Sequence, residues 1–191
     1  MMSEGSGEIH SPNLHVMKKV IALDLDGVIA DIGEALNIEL EERGHFDYDY
    51  SEWLTTHHEC ELSDEIMSTE LFWRNIKPFQ DAWHQVNKWF SNGNDVYIVT
   101  ARRSPAAIGV TEQWLDEWRI GTMKPIFCNM GEKHNIINEL KPKFVVEDNP
   151  NEVITLLEEG NNAFLRKAWY NKKYWNQLPT IGSLLELEID D

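Results

Sequence analysis

The chain has 191 residues, which suits one well-formed core with a modest insertion better than two independent domains. Its hydrophobic content of 42% is that of a globular protein, and 17 Lys and Arg against 33 Asp and Glu give a net charge of −16. This charge repels a polyanion, so extended nucleic acid is not expected as a partner, although local cations and a metal can still hold a small anion.

Cysteine use and hydropathy indicate a cytoplasmic protein. Cys60 and Cys128 lie far apart and form no CxxC pattern, so two free thiols in a reducing compartment are expected. The sequence contains no run of about eighteen apolar residues, so no membrane span is predicted. Residues 1–15 lack the apolar segment of a secretory signal, and we expect them to form a flexible tail.

The first strong pattern is an apolar run over residues 20–23 that ends in Asp24-Leu25-Asp26-Gly27. The run predicts a buried strand, and two carboxylates can be placed only at the carboxyl end of such a strand, where parallel sheets bind ligands. Gly27 permits a sharp turn there. A calcium-binding loop is excluded because Ala35 occupies the twelfth position, where a Glu is needed. The chemistry suited to this site is a carboxylate nucleophile beside a second, proton-transferring carboxyl, with a cation present.

The next segment, residues 32–77, is predicted to be a helical cap inserted after the first strand. Residues 32–43 have helical periodicity, with Asp31 able to cap their start. Aromatic and acidic residues then mix without strand alternation, and a short helix is expected near residues 63–70. Over the carboxyl edge of the sheet, such a cap would exclude water from the site.

Strands and helices then alternate to the end of the chain. A helix starts at Pro78, further helices are predicted over residues 104–119, 132–140 and 150–159, and strands over residues 95–100, 125–128, 143–148 and 163–165. This alternation predicts an α/β fold with a doubly wound, Rossmann-like parallel sheet of about five strands. The core would comprise residues 16–31 and 78–191.

Several predicted strand ends and helix starts carry polar residues. Each has an ordinary explanation by itself: Thr100 as a strand-end hydroxyl, Lys133 as a solvated helix residue, Asp148 as a helix cap. Because the carboxyl ends of parallel strands meet at one edge, these residues are expected to converge with Asp24 and Asp26.

This series of motifs, from about Val20 to Phe164, resembles the haloacid dehalogenase-like phosphohydrolases. The resemblance implies that Asp24 is the nucleophile that forms an aspartyl-phosphate and that Asp26 is the general acid and base. It also implies that Mg²⁺ is held by Asp24, the backbone carbonyl of Asp26 and Asp148. The remaining roles that it implies are phosphate binding by Thr100, Ala101, Arg102 and Lys133, and orientation of the ligands by Glu147 and Glu152.

Within that superfamily the chain is most similar to the 5′(3′)-deoxyribonucleotidases. The similarity lies in the string DLDGVIAD, the short insertion, Leu71-Phe72-Trp73 and the segment Ala168-Trp169-Tyr170-Asn171. It implies nucleoside monophosphates, in particular deoxyribonucleotides, as substrates and a homodimer as one oligomeric state. Phe72 and Trp73 would either line an apolar pocket on which a base stacks or anchor the insertion to the core.

Ala101-Arg102 departs from that family, whose animal members have Ser-Pro there. Thr-Ala-Arg is similar instead to the phosphatase half of polynucleotide kinase–phosphatases, in which case Arg102 would clamp a phosphate. Nucleic acid phosphate ends and other small phosphorylated metabolites therefore remain alternative substrates. A receiver-like phospho-acceptor module ranks low, because its acceptor Asp follows the third strand and Cys128-Asn129 stands there here.

Overall fold

The computed structural model describes residues 18–44 and 61–189. The predictions made for the tail over residues 1–15, for residues 45–60 of the insertion and for Cys60 lie outside these ranges. Cys128 is described as a free, half-buried thiol.

The strands, in chain order, are β1 (Val20–Leu23), β2 (Asp95–Thr100), β3 (Ile126–Phe127), β4 (Phe144–Glu147), β5 (Ala163–Arg166) and β6 (Thr180–Ile181). The α-helices are α1 (Ile32–Glu42), α2 (Glu61–Met67), α3 (Glu70–Asn75), α4 (Gln80–Ser91), α5 (Pro105–Glu117), α6 (Lys133–Leu140) and α7 (Pro150–Glu158). Two 3₁₀-helices follow, Trp169–Tyr174 and Leu184–Glu186.

All strands of the sheet run parallel, in the order β3-β2-β1-β4-β5-β6. The chain builds outwards from β1 to β3 and returns to place β4 on the other side of β1, so the order reverses between β1 and β4. Ligands of open α/β sheets bind at the carboxyl ends of the strands beside such a reversal. The predicted α/β fold is confirmed, with six strands in place of about five.

The central strands are apolar on both faces because helices cover both sides of the sheet. Ile21 and Leu23 of β1 belong to one buried cluster, while Ala22, pointing the other way, belongs to a second one. All residues of β4 are buried. A carboxylate therefore has no place inside these strands and stands at their ends.

Three elements differ from the sequence-based predictions. The helix expected at Pro78 begins at Gln80, because Pro78 pairs with Ala30 and the Phe79 N–H donates to the Ile29 carbonyl oxygen at 2.8 Å. The single helix expected near residues 63–70 is two helices, α2 and α3, the second of which is capped by the Thr69 hydroxyl. β6 was not predicted, because its two residues are too few to give a strand pattern.

The described part of the insertion packs on the core through α3. The Trp114 indole N–H of α5 donates to the Ile76 carbonyl oxygen at 2.8 Å, and Arg74 donates to Gln113 at 2.8 Å. Within the described ranges, none of the helices has the length and apolar composition that crossing a bilayer requires.

Candidate active site

The turn after β1 places two carboxylates at the carboxyl edge of the sheet. Asp24 follows β1 directly, is 7% exposed, and donates its backbone N–H to the Val146 carbonyl oxygen of β4 at 2.9 Å. The chain then turns back, and the Ala30 N–H donates to the Leu25 carbonyl oxygen at 2.8 Å. Asp26 lies in this turn with one-fifth of its side chain exposed. Both carboxylates border the same cavity.

Lys133, the first residue of α6, joins the first carboxylate to the end of β4. Its Nζ lies 2.8 Å from Asp24 Oδ1 and 2.5 Å from Glu147 Oε2, and the side chain is buried. Although burial would lower the pKa of the ammonium group, the charges of Asp24 and Glu147 raise it above its ordinary value. Lys133 therefore stays charged and fixes both carboxylates.

The two acids at the end of β4 have different partners. Glu147 accepts Lys133 on Oε2, and on Oε1 it accepts the backbone N–H groups of Asp148 and Asn149 at 3.2 and 3.1 Å. Asp148 accepts the Tyr170 hydroxyl on Oδ2. Each oxygen of Glu147 is thus engaged, whereas Asp148 keeps one oxygen for another ligand.

That oxygen, Asp148 Oδ1, is a buried polar atom without a hydrogen-bond partner among the described residues. Such an atom costs free energy unless something pairs with it. Ligand atoms of Asp24, Glu147 and Asp148 lie within 4.8 Å of one another, and carboxylate oxygens are the ligands that Mg²⁺ prefers. Because both oxygens of Glu147 already accept hydrogen bonds, the residues that best fit a metal here are Asp24 and Asp148, with Glu147 holding Lys133 and the backbone beside them.

The electrostatics of the three acids favour the same interpretation. Burial, followed by the charge of Glu147, raises the pKa of Asp24 to about 8, against the opposing effect of Lys133. Burial and the charges of Glu147 and Asp24 also raise the pKa of Asp148 well above its ordinary value. One ammonium group does not balance three buried carboxylates, and a divalent cation would supply the missing charge.

Gly27 allows this packing. It has φ +76°, and a Cβ built on it would lie 1.9 Å from Asp148 Oδ2 and 2.6 Å from the Tyr170 hydroxyl oxygen. Any side chain at this position would therefore displace Asp148.

The loop after β2 supplies the opposite wall. Thr100 is buried, and its Oγ1 accepts the Arg102 backbone N–H at 3.3 Å, a bond that uses only a lone pair of the hydroxyl. Thr100 and Ala101 both line the cavity. The Arg102 side chain turns to Asp26, with Nη2 at 2.6 Å from Oδ1 and Nε at 2.9 Å from Oδ2. Its role as a phosphate ligand stays a prediction.

Of the two aromatic residues singled out in the sequence, Trp73 lines the cavity and Phe72 lies in the core. Trp73 lines the cavity, donates its indole N–H to the Met67 carbonyl oxygen at 2.7 Å, and carries the Arg102 guanidinium 4.6 Å above its ring. Phe72 is buried and packs edge-on against Trp73, with the ring centroids 5.2 Å apart. Trp73 is thus a wall of the site, and Phe72 supports it from behind.

The cavity has a volume of about 320 Å³, which is enough for a small metabolite. It brings together most of the residues singled out in the sequence: Asp24, Asp26, Trp73, Thr100, Ala101, Arg102, Lys133, Glu147 and Glu152. Glu152 is half-buried and accepts the Gly131 N–H at 3.1 Å, so it holds the loop before α6. Asp148 is buried and is not among the described residues that line the cavity.

Two residues of the site have no role in the sequence-based interpretation. The Tyr170 hydroxyl donates to Asp148 Oδ2, and Asn171 donates to the Asp148 and Arg166 carbonyl oxygens, each at 2.9 Å. Asn171 is fully buried. Their sequence signal is the segment Ala168–Asn171, which is similar to the deoxyribonucleotidases but indicates no role for either residue.

No family model and no curated protein matches the sequence. Solved structures do match. CbbY from Rhodobacter sphaeroides, in complex with phosphate, aligns with a TM-score of 0.58 at 16% identity, covering 87% of this chain and 95% of that one. The D,D-heptose 1,7-bisphosphate phosphatase from B. bronchiseptica, complexed with magnesium and phosphate, aligns with a TM-score of 0.55 at 12% identity, covering 87% and 93%.

A haloacid dehalogenase-like family protein from Streptococcus pneumoniae aligns with a TM-score of 0.53 at 14% identity, covering 88% of this chain and 96% of that one. The chain has the fold of the haloacid dehalogenase-like hydrolases. The fold that the sequence-based resemblance implies is thereby confirmed, and membership of the superfamily stays a prediction. The narrower likeness to deoxyribonucleotidases gains no support from these structures and stays a prediction.

Proposed function

We propose that the protein is a magnesium-dependent phosphomonoesterase that works through an aspartyl-phosphate. The observation that carries the proposal is the meeting of three groups at one edge of the sheet. They are the Asp24 carboxylate, the Lys133 ammonium 2.8 Å from it, and Asp148 Oδ1, which has no hydrogen-bond partner in the part of the chain that the structure describes. A carboxylate fixed beside a cation can attack phosphorus, and the remaining acidic oxygens suit a hard divalent ion. When bound, Mg²⁺ would offset the negative charge of the phosphate and of the acids.

The chain's own residues supply the remaining chemistry. An oxygen of Asp24 attacks phosphorus while the bond to the leaving oxygen breaks, and Asp26 gives that oxygen a proton. Water then attacks the phosphorus, Asp26 takes its proton, and the bond to Asp24 breaks to release phosphate. Thr100 donates its hydroxyl to a phosphoryl oxygen, and Lys133 balances the charge on the phosphate and on Asp24.

We further propose nucleoside monophosphates, in particular deoxyribonucleotides, as the substrates. Beside the polar floor, the cavity has apolar and aromatic walls formed by Ile32, Met67, Trp73 and Met130. A ligand with a charged phosphate end and an apolar base matches this division. One of the neighbours named above is a D,D-heptose 1,7-bisphosphate phosphatase and none of the three is named as a nucleotidase, so the choice of base and sugar rests on the cavity and on the sequence likeness.

A second candidate, a phosphorylated nucleic acid end, is favoured by one observation. A further cavity of about 430 Å³ shares Arg102 and Arg103 with the first one and extends along α6. A substrate longer than a mononucleotide has room to continue there, although the net charge of −16 opposes long contacts with a polyanion.

Phosphate release from a panel of substrates tests both proposals. The panel holds deoxyribo- and ribonucleoside 5′- and 3′-monophosphates, sugar phosphates, and oligonucleotides with a 5′- or 3′-phosphate, each with Mg²⁺ and with chelator. We expect release that needs Mg²⁺ and that Asp24→Asn lowers by more than about 1,000-fold. Asp64→Asn, which removes an exposed carboxylate from the cavity wall, is the matched control and should retain activity.

The outcome separates the candidates. Faster release from mononucleotides than from sugar phosphates and oligonucleotides supports the nucleotidase proposal. A preference for oligonucleotide ends selects the second candidate, and a preference for sugar phosphates refutes both. The absence of release from every ester refutes the phosphomonoesterase proposal itself.

A further inference from the structure

The Arg102 side chain is held in a buried site of its own. Its Nη1 donates to Thr111 Oγ1 at 3.1 Å, its planar face lies 4.6 Å from the Trp73 ring, and 1% of its side chain is exposed. Thr111 is itself fixed, since its hydroxyl donates to the Ala107 carbonyl oxygen at 2.6 Å. The guanidinium position is therefore set by the protein before any substrate binds.

From that position Arg102 grips Asp26 with two parallel hydrogen bonds, to Oδ1 at 2.6 Å and to Oδ2 at 2.9 Å. Charge-assisted, bidentate pairs of this kind fix orientation as well as distance. The Asp26 carboxylate cannot rotate about its Cβ–Cγ bond without breaking both. Its side chain is 20% exposed toward the cavity, and each carboxylate oxygen has a second lone pair that can exchange a proton there.

The same contacts leave Arg102 poorly placed to bind phosphate. The Nε–Nη2 edge, which matches two oxygens of an anion, is occupied by Asp26, and Nη1 is engaged with Thr111. One face of the group is covered by Trp73. To bind a phosphate through its Nε–Nη2 edge, Arg102 would have to give up the bonds to Asp26.

We infer that Arg102 is the positioning residue of Asp26, which it orients for proton transfer to the leaving oxygen and from the attacking water. This inference rests on the proposed phosphomonoesterase function. It differs from the sequence-based prediction, in which Arg102 is a phosphate ligand, and it predicts a different kinetic pattern.

The pattern depends on the leaving group. The leaving group of an alkyl phosphate is a poorly stabilised alkoxide and needs the proton of Asp26. The leaving group of p-nitrophenyl phosphate is a stabilised phenolate and does not need it. kcat/KM contains only the steps up to release of the leaving group, so it isolates this first transfer. In Arg102→Gln and Arg102→Lys we expect kcat/KM to fall about 100-fold for the best alkyl phosphate and less than about threefold for p-nitrophenyl phosphate.

Two further readouts follow from the same role. The second proton transfer, from water, is needed for every substrate, so kcat for p-nitrophenyl phosphate should fall and a burst of p-nitrophenol should precede the steady state. The inhibition constant of inorganic phosphate should stay within about threefold of the wild-type value. In the background of Asp26→Asn, the additional change Arg102→Gln should cost less than about threefold, because the group through which Arg102 acts is already disabled.

Two comparison variants protect the test. Arg103→Gln removes a neighbouring, exposed positive charge from the same loop, and any effect should be equal for both substrates. Thr111→Val keeps the charge of Arg102 but removes its third anchor, and should show the same selectivity at smaller amplitude if the Arg102 variants do not fold.

Equal losses of kcat/KM on both substrates, with at least about tenfold weaker inhibition by phosphate, would refute the inference in favour of a phosphate clamp. Unchanged selectivity with only a lower melting temperature would also refute it, in favour of a purely structural pair. In either case a hydrolytic wild type leaves the proposed function standing. A wild type that hydrolyses neither substrate refutes both the function and the inference.

Discussion

Gly27→Ala is expected to disrupt the metal site while the rest of the fold is kept. An L side chain at φ +76° costs roughly 1–2 kcal/mol by itself. Its Cβ would also lie 1.9 Å from Asp148 Oδ2, a contact that cannot be maintained, since real Cβ contacts stay above 3.0 Å. The Asp148 carboxylate must therefore move by roughly 1 Å or more in a close-packed site.

That displacement gives the size of the effect. Metal–ligand distances tolerate about 0.2 Å, so a ligand shifted by roughly 1 Å no longer serves. Loss of a residue that merely orients a ligand already weakens metal binding about 10- to 100-fold. We expect Gly27→Ala to weaken Mg²⁺ binding at least about 100-fold and to lower the free energy of unfolding of the metal-free protein by about 2–4 kcal/mol.

Gly93→Ala is the matched control. Gly93 has φ +85°, but no atom of the described residues lies within 4 Å of the site of a new Cβ, and the glycine precedes β2, at the amino ends of the strands. This variant should lose only the roughly 1–2 kcal/mol of backbone strain and bind Mg²⁺ like the wild type. Isothermal titration of the metal-free proteins with Mg²⁺ and urea unfolding measure the two quantities. Equal Mg²⁺ affinities for the two variants would contradict Asp148 as a metal ligand.

Three further predictions concern the buried charges. Lys133→Met leaves Asp24 and Glu147 buried without their cation, so the free energy of unfolding measured in urea should fall by about 3–5 kcal/mol. A decrease below about 1 kcal/mol would contradict the pairing. Because burial and the charge of Glu147 raise the pKa of Asp24 to about 8, the native metal-free protein keeps a proton on Asp24 that the unfolded chain has lost. Its melting temperature should therefore fall as the pH rises from about 5 to 8. Asp24→Asn or saturating Mg²⁺ should flatten this pH dependence, and an unchanged slope would refute the assignment. Burial alone would raise the pKa of Asp81, but the hydrogen bonds and charge of Arg166 lower it to about 2. This ion pair therefore stabilises the fold above about pH 4, and its contribution is lost as the pH falls toward 2. Asp81→Asn should lower the free energy of unfolding by about 2 kcal/mol near pH 7 and by less than about 0.5 kcal/mol at pH 2, and equal losses at both pH values would refute the linkage.

Helix and strand patterns are predictable where local rules and tertiary packing agree. The strands ending at Leu23, Thr100 and Glu147 were expected from apolar runs, because a strand covered on both faces has no polar positions. The rule fails where an element is short or its boundary depends on a distant partner. β6 needs β5 beside it to be a strand at all, and the start of α4 is set by the pairing of Pro78 with Ala30.

For the site, the sequence alone determined which chemistry is available and at which edge it lies. Two acids directly after a buried strand, and two more at the end of another, can only stand at the carboxyl ends, because desolvated carboxylates are excluded from the strand interiors. This argument predicts that Asp24, Asp26 and Asp148 lie near one another, and ligand atoms of Asp24 and Asp148 do lie within 4.8 Å of each other.

Which atoms are free and which are engaged was decided only by the tertiary structure. Nothing local distinguishes Glu147, whose oxygens both accept hydrogen bonds, from Asp148, whose Oδ1 has no hydrogen-bond partner among the described residues. Nor does the sequence show that Arg102 turns to Asp26, 76 positions away, or that Tyr170 reaches Asp148. Hydrogen bonds and ion pairs are sensitive to differences of a few tenths of an ångström in the distance between residues remote in the chain, and only the packed fold sets those distances.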